Sequence, residues 1–177
     1  MTTRFTTLIL GATLLLAAAA PAMAQQKPPL SPPAKASATI GAATITIDYA
    51  QPSMRGRKIM GALVPYDKVW RTGANAATTL KTSATLDVGG TLVPAGTYTL
   101  YTLPGEKAWK LIINKQTGQW GTQYDQAQDL ARVDLVVGAT AAPVEQFTIT
   151  LAGTGAAAGL LTMEWETTKL TIPFTVK

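Results

Sequence analysis

The chain contains no cysteine and no histidine. The first absence excludes disulfide support, thiol nucleophiles and cysteine metal sites. The second removes Ser-His-Asp triads, histidine-ligated zinc and histidine general acid–base catalysis. Any chemistry would have to rest on carboxylates, Tyr, Lys, Arg or Ser. Charge is scarce as well. Only 14% of residues are Asp, Glu, Lys or Arg, too few to lay down the basic stripe that nucleic acid requires, so nucleic acid is excluded as a partner. No group of Asp and Glu has the spacing of a calcium loop. No metal and no cofactor is therefore expected. A helical period of useful length is missing beyond residue 24, and no internal repeat is present.

What is present begins with a leader. Arg4 supplies a positive start, Leu8 to Ala20 forms an apolar run, Pro21 breaks it, and Ala22-Met23-Ala24 fits a small-x-small cleavage site. The run is too short for a membrane helix, which needs about 18 apolar residues or more. Residues 1–24 are expected to be a signal peptide, and the mature chain to start at Gln25. The protein is then exported, periplasmic or extracellular, with no membrane span after signal cleavage. With no cysteine after the apolar run, no lipid anchor is expected. Residues 25–35, QQKPPLSPPAK, hold four prolines and read as an extended, semi-rigid spacer.

From residue 36 to residue 177 the pattern is that of short strands. Thr44 to Tyr49 alternates, with Ile45, Ile47 and Tyr49 on one side and Thr44, Thr46 and Asp48 on the other. Thr78–Thr82, Ala84–Val88 and Thr97–Leu103 follow, with Gly89-Gly90 as a hairpin turn. Trp109–Asn114 carries the run Leu111-Ile112-Ile113, which suits a strand buried on both faces. Val133–Val137 and Phe147–Leu151 read as two further strands. Leu160–Trp165 and Leu170–Val176 read as a closing hairpin, with residues 124–131 able to form one or two helical turns. The expectation is one all-β domain over 36–177: roughly nine or ten short strands in an antiparallel β-sandwich, jelly-roll-like, with a barrel as the alternative.

One stretch breaks the pattern. Gln51 to Asn75, QPSMRGRKIMGALVPYDKVWRTGAN, has no clean period and is longer than a compact domain usually leaves unstructured without a use. Arg55, Arg57, Lys58, Lys68 and Arg71 stand there against Asp67 alone, a net of +4 that equals the excess of the whole mature chain. Guanidinium groups bind carboxylate or phosphate through paired hydrogen bonds. Tyr66 and Trp70 add flat faces for stacking. The stretch thus offers a pocket for an anionic or sugar-like ligand, with Arg55, Arg57, Tyr66, Trp70, Arg71 and Asn75 as its contacts. The competing reading gives these residues to the loop itself: Trp70 in the core, Arg71 paired with Asp48 or a Glu on a neighbouring strand, Asn75 capping backbone groups of a turn.

The same residues carry a resemblance. Tyr49-x-x-Pro52-Ser53-Met54-Arg55-Gly56-Arg57, then Gly61-x-Leu63-Val64-Pro65-Tyr66-x-x-Val69-Trp70-Arg71-Thr72-Gly73-Ala74-Asn75, then Pro94-Ala95-Gly96-Thr97-Tyr98, resemble the signature of domain-of-unknown-function family 2911. Trp109 to Lys115, Gln119-Trp120-Gly121 and Trp165-Glu166 fit as well, so the likeness spans about residues 36–177. It implies an exported bacterial β-rich domain and supplies no catalytic residue.

A second candidate site is Trp120 with Tyr124 and Asp125, an aromatic pair beside a carboxylate, against core packing of Trp120 as the plainer reading. Glu164 and Glu166 lie two apart on a strand and so on one face, a spacing compatible with a paired-carboxylate hydrolase. Any solvent face of a strand shows that spacing. The leading expectation is a binding module for an anionic small molecule, an envelope glycan or another envelope protein. A carboxylate-dependent hydrolase and a purely structural envelope module are the alternatives.

Overall fold

The computed structural model describes residues 29–177. The expected signal peptide, residues 1–24, and the start of the expected spacer lie outside the described residues. Nine strands follow one another: β1 (Pro33–Ile40), β2 (Ala43–Ala50), β3 (Thr78–Thr82), β4 (Leu86–Val88), β5 (Thr91–Val93), β6 (Gly96–Leu103), β7 (Trp109–Asn114), β8 (Asp129–Gly153) and β9 (Ala158–Val176). They form a sheet in the order β1-β2-β3-β6-β7-β8-β9-β4-β5, antiparallel at every pairing. The all-β antiparallel expectation holds. The strands make one continuous open sheet, and both of its halves feed one core. Ile45, Leu80, Leu100 and Leu111 from one half share that core with Leu86, Leu161, Ile172 and Phe174 from the other.

Local sequence explains most of this. Alternation on β2 buries Ile45, Ile47 and Tyr49. The apolar run on β7 is buried on both faces, as its lack of alternation implies. β1 starts at Pro33, so its first three residues belong to the expected spacer. Proline is tolerated there because it opens an edge strand.

The long strands differ from expectation. Val133–Val137 and Phe147–Leu151 are parts of a single 25-residue β8. The expected closing hairpin is a single 19-residue β9, and the hairpin lies between β8 and β9 instead. Polar and small residues that resemble turns in sequence are irregularities in the ladder: the β8–β9 register shifts between Ala139 and Val144 and again between Val144 and Thr148. Opposite the first of these, Glu166 takes a left-handed backbone with φ 54°. A bulge bends a strand and re-aims side chains without ending it. Helix over 124–131 reduces to one 3-10 turn, Gln126–Gln128, capped by the Asp125 carboxylate.

The 51–75 stretch is a packed loop. Its first residues run on from β2 to meet the middle of β8: Met54 N–H donates to Glu145 O (2.8 Å), and Phe147 N–H donates to Pro52 O (2.9 Å). Ile59 and Val64 are fully buried. The Glu166 carboxylate accepts from the Ile59 and Met60 N–H groups at 3.4 and 3.1 Å. Further on, Trp70 and Thr102 exchange both backbone hydrogen bonds, at 2.8 and 2.9 Å. The loop then ends against residues 119–121, through Ala77 N–H to Gln119 O and Gly121 N–H to Asn75 O. That last tie brings the two irregular regions together.

Candidate functional site

Where the two regions meet, a cleft of about 510 Å³ opens, within the size range of small-molecule sites. Arg57, Trp70, Arg71 and Asn75 line it from the first candidate site, and Tyr124 from the second. One residue of the second candidate is thus brought to the same cleft as four of the first. The other predicted residues have different tasks. Arg55 donates through Nη2 to Leu30 O (2.9 Å) and so fastens the segment before β1. Tyr66 lies against Gly61, where an added Cβ would come within 2.8 Å of its ring. Trp120 points outward, and Asp125 is spent on Ala127 N–H (2.9 Å).

The aromatic wall is rigid because it is stacked in depth. The rings of Trp70 and the buried Trp165 stack at 5.7 Å, and Phe147 meets both edge-on, at 5.0 and 5.9 Å. Trp165 donates its indole N–H to Glu145 O at 3.2 Å. Trp70 is therefore half-buried over a core cluster and still faces the cleft, so the core reading and the site reading of this residue both hold.

The cations are under-used by the protein. Arg71 donates only through Nε, to Gly73 O at 3.2 Å, so among the described residues its two terminal nitrogens have no protein acceptor. Arg57 donates through Nε to Met54 O and through Nη2 to Ser53 O, and Nη1 stays free on the same terms. Neither pairs with a carboxylate. The pairing of Arg71 with Asp48 does not form, because Asp48 is held by Lys35 at 2.8 Å and Lys81 at 3.7 Å. None of the lining residues is Asp or Glu. Glu164 and Glu166 are engaged separately: Glu164 binds Lys169 (3.2 Å), while Glu166 holds the loop. Among the described residues no group of three or more His, Cys, Asp or Glu is placed to hold a metal.

The floor of the cleft is shaped by unusual backbone. Thr72 and Asn75 both sit in the left-handed region, at φ 53° and 61°. For a buried, β-branched threonine this conformation is strained, and strain of this kind persists only where surroundings over-determine it. Here Thr72 Oγ1 donates to Trp70 O, and Thr72 O accepts from Thr78 Oγ1 at 2.7 Å. Gly121 is required for a different reason: a Cβ there would lie 2.7 Å from Arg71 Cδ and 2.8 Å from Asn75 O.

Tyr124 is locked in place from behind. Its hydroxyl donates to Asp129 Oδ2 (2.6 Å) and accepts from Arg132 Nη2 (2.6 Å), while Asn114 Nδ2 holds the other carboxylate oxygen at 2.8 Å. Burial, reinforced by the hydrogen bond to Asp129, pushes its phenol up to about 12. Burial also raises Tyr101, whose ring meets Tyr124 at 4.9 Å. Alkaline titration followed by tyrosinate absorbance should therefore show a late component near pH 12, and Tyr124→Phe should remove it. A folded-state value above the unfolded one near 10 means that the stability this proton supplies is complete below pH 10. It is lost as pH rises towards 12. If all five tyrosines titrated together near pH 10, the buried network around Asp129 would not exist.

Leu30, Leu63 and Trp165 also line the cleft and were not proposed as contacts from the sequence, where Tyr101 reads as strand packing. Gly121 carried a local hint, as the glycine next to Trp120.

Fold and site together define a β-sheet domain with a preformed, cationic, aromatic-walled cleft. The chain matches the family model described as protein of unknown function (DUF2911) over residues 31–174. It belongs to that family. No curated protein matches the chain, and no solved structure does.

Proposed function

We propose that this is an exported envelope protein that binds an anionic ligand in the cleft between the 51–75 loop and residues 121–124. The observation that carries the reading is the pair of guanidinium groups, Arg71 with both terminal nitrogens free of protein acceptors among the described residues and Arg57 with one, and no acidic residue lining the cleft. Arg71 is partly buried and Arg57 exposed; a cation without a counter-charge favours an incoming anion, and the planar guanidinium presents donors in the geometry of a carboxylate or phosphate. Trp70 and Tyr124 give the ligand rigid faces to pack on, and little reorganisation is needed on binding. The free guanidinium donors favour an anion over a neutral sugar. Export rests on the leader-like sequence of residues 1–24.

A carboxylate-dependent hydrolase finds less support. It needs an acid within hydrogen-bond reach of the bound substrate, and Asp129, behind Tyr124, already satisfies Tyr124, Arg132 and Asn114. A purely structural module would have used Arg71 internally, and among the described residues its two terminal nitrogens have no protein acceptor.

The test is a thermal-shift and tryptophan-fluorescence titration of the mature protein with carboxylates and phosphates. Anions should raise the melting point, and Arg71→Ala should weaken binding about 10- to 100-fold, the loss of a charge-assisted contact worth ~1.5–3 kcal/mol. An absence of any shift, or a shift unaffected by Arg71→Ala, would remove the cleft as an anion site.

A further inference from the structure

Six large hydrophobic side chains are exposed among the described residues, and two of them line this one cleft: Leu30, 65% exposed, and Leu63, 46% exposed. They come from separate segments of the chain. Leu30 precedes β1, and Leu63 sits in the middle of the 51–75 loop. A single exposed leucine needs no explanation. Two on the same cleft, with Val69 and Trp70 also lining it, form an apolar lip next to two guanidinium groups.

The lip is held in position. Arg55 Nη2 fixes Leu30 O at 2.9 Å, and Gln51 N–H fixes Pro32 O at 2.9 Å, so the segment carrying Leu30 is tied to the loop at two points. Leu63 lies in a tight turn closed by Val64 N–H to Ile59 O and Gly61 N–H to Val64 O, both 2.9 Å, over the buried Ile59 and Val64. A bare oxyanion would use the guanidinium groups and leave both leucines and much of the 510 Å³ in water. Apolar surface gains only when something apolar covers it.

From this we infer that the ligand is amphiphilic: an oxyanion head, carboxylate or phosphate, on an apolar body that Leu30 and Leu63 grip. The inference rests on the anion-binding reading above and adds the body to the head. Arg57 and Arg71 then set the charge of the ligand, and the two leucines set its length.

The experiment compares short and extended anions by tryptophan fluorescence on the mature chain: acetate against hexanoate, and inorganic phosphate against hexyl phosphate. The extended member of at least one pair should bind about tenfold or more tightly than its short counterpart. Leu63→Ser should remove most of that preference, a fall of about three- to tenfold for the extended anion, and leave the short anion unchanged. Leu92, exposed on β5 and absent from the cleft lining, is the control, and Leu92→Ser should change neither. Both leucines are surface residues, so neither substitution threatens the fold. Equal binding of short and extended anions, or equal effects of Leu63→Ser and Leu92→Ser, overturns the apolar body while the anion site stands. If hexanol binds as well as hexanoate, the head is overturned. If none of the four anions binds, the anion reading itself is lost.

Discussion

Trp165→Ala should lower the stability of the domain by about 3–5 kcal/mol, the range for removing a large buried aromatic. Trp165 is almost fully buried and is, with Trp109, one of the two tryptophans of the core. Its indole supports Trp70 by stacking and Phe147 by an edge contact. Deletion would leave a void directly beneath the cleft wall, and Trp70 would lose the surface that fixes its orientation. The indole hydrogen bond matters less, because Glu145 O also accepts from Met54 N–H and would not be left unpaired. Urea unfolding should show a lower midpoint with an unchanged slope, which marks a stability change rather than a change in the denatured state. For a domain whose total stability is about 5–15 kcal/mol, such a loss is a large fraction. Binding of any anion should weaken in parallel. A loss under about 1 kcal/mol would mean that the site collapses around the void and that the stacked wall is not needed.

Trp165 also shows why the site was only half legible in sequence. The loop could be found because it breaks strand periodicity and concentrates charge: Arg57, Trp70, Arg71 and Asn75 were all visible on those grounds. Strand β2 was legible because alternation is a strictly local signal, and β7 because a continuous apolar run is too. The lining from outside the loop includes Leu30, Tyr101, Gly121, Thr122, Tyr124 and Trp165. Within their own segments these read as spacer, strand packing, a separate aromatic cluster and a closing strand. Only pairing places them together, through Trp70 on Thr102 and Asn75 on Gly121.

The long strands failed for a related reason. The segment Glu166 to Lys169, ETTK, is polar enough to read as a turn, and a single-sequence pattern cannot distinguish a turn from a bulge. The difference lies in the partner strand, where β8 shifts register at the matching place. The same bulge has a second effect. It places Glu166 at φ 54° and aims its carboxylate at the Ile59 and Met60 amides. An irregularity in β9 thus anchors the turn that presents Leu63. The pairing of Arg71 with Asp48 failed because two lysines, Lys35 on β1 and Lys81 on β3, flank Asp48 across the sheet. Cross-strand neighbours are close by construction, and a loop arginine must travel to compete. Arg71 is left with spare donors for this reason.

Gly121→Ala should damage the site more directly than any substitution of a ligand-facing side chain. The added methyl meets Arg71 Cδ at 2.7 Å and Asn75 O at 2.8 Å. The first contact can be relieved by swinging the guanidinium away, out of the position that makes it a binding group. The second cannot, because Asn75 O is backbone and accepts the Gly121 N–H that joins the two regions. Overpacking of this kind costs about 1–3 kcal/mol, and anion binding should be lost with it. Gly118→Ala separates this from a general intolerance of alanine in residues 115–125. Gly118 has φ 81° and nothing within 4 Å of an added Cβ, so its substitution carries a backbone penalty of roughly 1 kcal/mol or less and should leave binding intact. The double variant Arg71→Ala with Gly121→Ala makes the mechanism explicit. Shortening Arg71 removes the Cδ contact, though its Cβ at 3.1 Å remains. The two destabilisations should therefore sum to more than the double variant shows, by about 0.5 kcal/mol or more, as expected of side chains in contact. Strict additivity would mean that Gly121 serves only its own backbone and that the arginine is positioned by something else.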